Sequence, residues 1–365
     1  MLRVIALSGV LLCACGGGGG GSNASGGGPT PAAAPTISTT LAQNGAVIAA
    51  LKTATSGATI YYTLDGSTPT TSSQVYQGPI LVAANMAVKA IATSQGSSTS
   101  SVMTQTFSPN IPSGTLVWAD EFDKAGQPNP SFWTYDTGNS GFGNNEQENY
   151  CAWGSNATPC STANPNAQVE ADGFLHITAR QPSSGVYTSA RLKSQALFSL
   201  MYGRIEARIK MPESQGMWPA FWMLGNNIAT VDWPACGELD IMEHIDGSNP
   251  PFHVGGTPPG YDWVQSSIHG TGLDGGTPYH PQGFSAADWH TYGMIWNKGR
   301  VQFYIDDPAS PYETFMPGVG TWPFDQGPQF ILLNLAVGGS WPGNADSTTV
   351  FPSEMLVDYV RVYTN

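Results

Sequence analysis

No stretch of this 365-residue chain carries a long apolar stripe at the 3.6-residue period of a helix, and that absence constrains the fold more than any other feature. From residue 114 onward, short apolar or alternating runs recur between Gly, Pro and Asn turns: Gly173–Arg180, Arg204–Lys210, Thr291–Trp296, Val301–Asp306, Gln329–Ala336 and Met355–Tyr363. Many such strands in one domain predict two packed sheets, an all-β jelly-roll sandwich, with helix scarce. Residues 114–365, about 250 in number, suit a single large domain, and all 11 tryptophans fall inside it.

Residues 35–107 hold only three charged side chains, Lys52, Asp65 and Lys89, and no Trp. Alternating runs such as Ala58–Thr63 and Met86–Ala92 are separated by turn clusters such as Asp65-Gly-Ser-Thr-Pro69, the pattern of a small antiparallel immunoglobulin-like β-sandwich. Ile60–Pro69, followed by Tyr76-Gln-Gly-Pro-Ile80, resembles the module at the C-terminus of chitobiases. It lacks any cluster of acids, His or Cys. Carbohydrate binding is one reading; a spacer that holds the rest of the chain off a surface is the simpler one. Residues 108–113, with Pro109 and Pro112, read as the linker to the large domain.

At the start, residues 1–15 join a short basic end to an apolar run and read as a secretory signal. Leu12-Cys13-Ala14-Cys15 resembles the bacterial lipobox, in which Cys15 would be lipidated. Cys13 stands where Ala or Ser is usual, and an ordinary cleaved signal is the alternative. Residues 16–34, a Gly/Ser/Ala/Pro-rich linker without charge, form a flexible tether. The chain is therefore expected to be exported, either anchored to the outer membrane or extracellular.

Cysteine usage agrees with export. Cys151 and Cys160 flank a loop rich in Asn and Pro and read as a disulfide, while Cys236 reads as a small buried hydrophobe. Net charge is −13; without the three basic and one acidic side chains before residue 111, the large domain keeps 10 basic and 25 acidic residues, about −15. Nucleic acid and anionic polysaccharide would be repelled, so the compatible partner is a neutral polymer.

The chemistry concentrates in Trp233-Pro-Ala-Cys-Gly-Glu238-Leu-Asp240-Ile-Met-Glu243. On a strand, Glu238 and Asp240 share a face, and a plain alternation would turn Glu243 to the other one. A β-bulge at about Ile241–Met242 returns Glu243 to the face of the other two. Three carboxylates on one surface cannot all ionise freely, and carboxyl groups with separated pKa values are what cleavage of a glycosidic bond requires. Solvated acids on an exposed strand would be the bland alternative.

With Tyr202–Pro212 and Gly216-Met-Trp-Pro-Ala-Phe-Trp-Met-Leu-Gly225 upstream, this stretch resembles glycoside hydrolase family 16, most closely its laminarinase (endo-β-1,3-glucanase) members, over residues 114–365. The resemblance implies a concanavalin-like jelly roll with a concave substrate cleft and a retaining mechanism. Glu238 would be the nucleophile, Glu243 the acid/base, and Asp240 the carboxyl that keeps their charge states distinct. It also implies that His269 lies beside the cleft. Trp218, Trp222 and Trp233 would stack against sugar faces, whereas Phe221 reads as core.

Gly143-Asn-Asn-Glu146-Gln-Glu-Asn-Tyr150 resembles a laminarinase stretch in which Asn144 and Glu146 would meet sugar hydroxyls. Here Gln147-Glu148-Asn149 stands where the family often has Leu-Gln-Tyr. Arg191 matches a cleft position, with a buried salt bridge as the equal alternative. Catalysis would need no cofactor. A structural Ca²⁺ would be held by Glu121, Gly173 and Asp358, the first two through backbone carbonyls.

The expected function is a monomeric, exported endo-β-1,3-glucanase acting on laminarin-like glucan. The alternatives are another family 16 specificity, such as mixed-linkage glucan or galactan, and a glucan-recognition protein without catalysis. Lichenases lack the extra bulge residue, and glucan-recognition relatives have lost the glutamates that this chain keeps.

Overall fold

A computed structural model of the chain describes residues 29–245 and 262–365, so the signal, Cys15 and most of the 16–34 tether lie outside the described residues. The described part is almost wholly β, with one four-residue helix, Ile228–Val231.

Two sheets form the large domain. One has ten strands, in which Ser353–Tyr363 lies between Leu175–Ser183 and Gly203–Lys210. The other has seven, in the order Leu273–Tyr279, Val264–Gly270, Glu238–Glu243, Met217–Gly225, Gln329–Val337, Arg191–Lys193 and Thr134–Asp136. The strand Gln329–Val337 is buried at every position, which is why it reads as a continuous apolar run rather than an alternation. Between the sheets, Ile205, Ala207, Ile209, Met294, Trp296 and Val360 meet Phe221, Met223, Leu239, Ile241, Ile331 and Leu333 in one core. The jelly-roll expectation holds, and Phe221 is core.

The small N-terminal module consists of a three-stranded and a four-stranded sheet. The module packs directly on the large domain. Leu81 and Ala46 are buried in the same core as Val117, Trp118, Phe198 and Leu200 of the large domain. The backbone of Leu81 donates to the Ser199 carbonyl at 2.8 Å, and Ser199 returns a bond to the Pro79 carbonyl at 3.0 Å. Gln43 N–H reaches the Val117 carbonyl at 3.0 Å, and the Asn44 side chain reaches that of Leu116 at 2.7 Å. Apolar side chains at Ala46 and Leu81, unremarkable in the sequence, supply the packing that makes the module part of the body.

Candidate active site

The carboxylate strand is bulged as its sequence requires. Leu224, Met223 and Trp222 of the neighbouring strand pair with Glu238, Leu239 and Asp240, and then Phe221 and Ala220 pair with Met242 and Glu243. Ile241 is therefore the extra residue, and on the other side the register slips at the same place, Asp240 facing Ser267 and Glu243 facing Gln265. Leu239, Ile241 and Met242 all drop into the core, leaving the three acids on the cleft face. Gly237, at φ 81°, makes the turn into this strand, and a Cβ there would come within 2.7 Å of Pro323.

The cleft encloses about 300 Å³ and is lined by Glu238, Asp240 and Glu243 together with Asn144, Glu146, Arg191, Trp218, Trp222 and Trp233. Nine of the ten sequence-predicted residues are in this lining, and His269 stands beside them on the next strand, opposite Glu238, with Nε2 at 3.2 Å from Asp240 and 3.9 Å from Glu238 and Nδ1 paired to Asp274. A larger cavity of about 650 Å³ lies at the junction with the N-terminal module and contains none of the paired carboxyls.

Burial raises all three acids above the ordinary carboxylate range, and their partners separate them. Glu238 is pushed up first by burial and then by the charge of Asp240, but His269, Arg191 and a hydrogen bond from Trp233 pull it back. Glu243 is raised well above by burial and by the charges of both Asp240 and Glu238; against this stand only the Trp218 indole, donating at 3.0 Å, and His269. Asp240 is raised by burial and held down by His269. For His269 itself, burial favours the neutral ring, yet the hydrogen bond and charge of Asp240, with Glu238 and Asp274, outweigh it and push the imidazole up to about 10. The raised imidazole stands beside Glu238 and Asp240 on the next strand. Glu238 is the more readily ionised glutamate, and Glu243 is the one that keeps its proton.

The tryptophans do two jobs. Trp233 is 55% exposed at the rim, as a stacking platform would be. Trp222 is nearly buried and donates to Asn334 Oδ1 at 2.7 Å, while the Arg191 guanidinium lies 4.6 Å from its ring centroid. Arg191 also bonds Asp136 at 3.0 Å, so both readings of this residue hold at once. Asn334, Phe142, Asp274 and Tyr150 belong to the site or its support and were not expected. Asn334 carried a signal, being a lone amide in the apolar run Phe330–Ala336. Asp274 carried none, because its place depends on the edge strand Leu273–Tyr279, whose pattern is not apolar.

Elsewhere, Cys151 and Cys160 form the expected disulfide, and Cys236 is buried, its thiol pushed up to about 12 by burial. Of the calcium set, the Asp358 carboxylate is engaged by Arg208 at 2.7 Å, so a dication there would have to displace a guanidinium. The Glu121 carboxylate is held by Arg361 at 2.8 and 2.7 Å, which leaves aside the backbone carbonyl expected as its ligand.

Comparison with known proteins agrees with this geometry. Residues 154–361 match the model of Glycosyl hydrolases family 16, and residues 49–107 match that of Fn3 associated. The chain is 36% identical over 274 residues to a beta-glucanase of Rhodothermus marinus, covering 70% of this chain and 87% of that protein. It is 33% identical to glucan endo-1,3-beta-glucosidase A1 of Niallia circulans, of which it spans 38%. Among solved structures, the catalytic domain of the endo-1,3-beta-glucanase (laminarinase) from Thermotoga petrophila RKU-1 superposes with a TM-score of 0.58 at 36% identity, over 70% of this chain and 99% of that one. With the matched fold, the bulged strand and its three acids in one cleft, the chain belongs to glycoside hydrolase family 16.

Proposed function

We propose that this chain is an exported, monomeric, retaining endo-β-1,3-glucanase that cleaves neutral laminarin-like glucan, tethered to a membrane through Cys15. The observation that carries the reading is the unequal surroundings of two glutamates on one bulged strand: His269, Arg191 and Trp233 draw Glu238 down, whereas Glu243 is raised by two fellow acids and has the Trp218 indole and then His269 set against them. Relatives named as β-1,3-glucanases support the linkage.

In the first step the Glu238 carboxylate attacks the anomeric carbon while Glu243 gives its proton to the departing glycosidic oxygen. That leaves a glycosyl ester on Glu238 and a carboxylate on Glu243. In the second step Glu243 takes a proton from water, the hydroxide oxygen bonds the anomeric carbon, and the Glu238 ester is released. Asp240, paired with His269, raises both glutamates, while His269 and Arg191 offset this at Glu238, so that the pair titrates together and the proton stays on Glu243. Trp233 and Trp218 offer faces to the sugar rings, and Asn144 and Glu146 offer polar atoms to the hydroxyls. No cofactor enters these steps.

The test is product analysis with the purified chain on laminarin, curdlan, barley mixed-linkage glucan and agarose. Short β-1,3 oligosaccharides whose new ends are β-configured by NMR are expected. Release from mixed-linkage glucan or agarose alone would overturn the specificity, and α-configured ends would overturn retention. Glu238→Gln and Glu243→Gln should each lower laminarin turnover by about a thousandfold or more with an unchanged circular dichroism spectrum; parental turnover by either would remove its assigned role.

A further inference from the structure

The floor of the cleft holds a second pair of acids that the mechanism above does not use. Glu146 lines the cleft and is 7% exposed; Glu148, two residues on, is wholly buried. One oxygen of Glu148 accepts the Val337 N–H at 2.6 Å; the other is buried and receives no hydrogen bond, and the charged group that acts on it is the Glu146 carboxyl. Two carboxyl oxygens brought together bond only if one carries a proton.

The rest of the network shows which one. Trp222 Nε1 donates to Asn334 Oδ1 at 2.7 Å, and Asn334 Nδ2 donates to Tyr150 Oη at 3.3 Å. Tyr150 in turn donates to Glu146 Oε2 at 2.8 Å, and Asn144 Nδ2 donates to Glu146 Oε1 at 3.3 Å. Every arrow in this chain points at Glu146, which must therefore be the acceptor on all sides.

We propose that Glu148 is a positioning residue: its protonated carboxyl donates to Glu146, and this single proton fixes the Glu146–Tyr150–Asn334–Trp222 network that shapes the sugar-binding floor. The inference rests on the glucanase reading only for the identity of the sugar.

Burial is the main force that holds the proton on, followed by the charge of Glu146; together they push Glu148 up to about 8. No cation is set against it. Arg191 acts on Tyr150, and the other titratable group packed nearby is Tyr150 itself, raised well above its ordinary range by burial and by both glutamates. Above about pH 8 the pair would carry two charges without a counter-ion, and Glu146 would be driven from its donors. Glu148 also stands where the related stretch often has Gln, which offers Glu146 the same donor at every pH.

The experiment compares Glu238→Gln/Glu243→Gln protein with the same protein carrying Glu148→Gln, so that the catalytic carboxyls do not titrate. Laminarin-oligosaccharide affinity is measured by calorimetry from pH 6 to pH 9. If only the protonated form is competent, affinity falls by its population, about tenfold one pH unit above the midpoint. That loss is expected in the parent and not in the Glu148→Gln protein. Equal pH dependence in both, or none in either, would overturn the proposal. The melting temperature, followed over the same range without sugar, gives a second readout: the parent should lose more than the Glu148→Gln protein. Should no oligosaccharide bind at any pH, the sugar assignment fails, and the melting comparison alone decides whether Glu148 holds the proton.

Discussion

At the scale of single residues, the site works by giving like groups unlike neighbours. Glu238 and Glu243 are both buried glutamates on one strand, and what parts them is the placement of His269, Arg191 and two indoles. A consequence appears in stability. A carboxyl raised above its ordinary value of 4.5 binds more protons folded than unfolded, so its contribution is complete below pH 4.5 and is lost as pH climbs toward the native pKa. Glu243→Gln should therefore leave the melting temperature near the parent's at pH 4.5 and raise it at pH 7, flattening the curve between them. Calorimetry across that range checks it; a parallel pair of curves would mean that Glu243 is not raised. His269 has the same sign at a different window. Its support is present below its ordinary 6.5 and lost as pH rises through about 10, so His269→Gln should cost most below neutrality.

At the scale of the element, one residue sets the face of the acid. Because side chains alternate with period 2, the bulge at Ile241 is what brings Glu243 round to the cleft. Deleting Ile241 restores plain alternation through Glu238, Asp240 and Glu243 and keeps all three outward. Its cost is one fully buried Ile, roughly 2–5 kcal/mol. The deletion is expected to fold with a lowered melting temperature and measurable laminarin hydrolysis. A folded deletion protein without any hydrolysis would mean that the facing of Glu243 depends on more than the alternation of the strand. The bulge was legible because the acids themselves break the alternation. By contrast, Leu273–Tyr279, reading Leu-Asp-Gly-Gly-Thr-Pro-Tyr, is an edge strand held by pairing to Val264–Gly270, and nothing in its own pattern announces it.

For the whole molecule, the N-terminal module is joined to the catalytic body through packed apolar side chains rather than loosely tethered. Ser199 links the two: it bonds Pro79 of the module, and its hydroxyl accepts from Asn226 at 3.3 Å, at the end of the strand that carries Trp218 and Trp222. Residues 110–365 alone would expose Val117, Trp118, Phe198 and Leu200. Their melting temperature should fall by several degrees at least. Leu81→Asp in the full chain, which buries an unpaired charge at the same seam, should do likewise by about 3 kcal/mol or more. Identical melting of the full and shortened chains would mean that the seam adds no stability.

The sequence by itself determined the class of fold, the strand that carries the acids and its bulge, the core place of Phe221 and the disulfide, since each depends on local alternation, spacing or residue chemistry. Tertiary structure decided the rest. It decided that His269 stands against Asp240 and Glu238 from the next strand, that Trp218 steadies Glu243 as well as facing the cleft, that Asp358 is occupied by Arg208, and that Glu148 is buried against Val337. Those facts depend on which distant strands are neighbours, and so on pairings between residues up to about 200 positions apart, such as Glu148 with Val337. Burial, which raises Glu238, Asp240 and Glu243, is likewise a property of the assembled sheets and of no single stretch of chain.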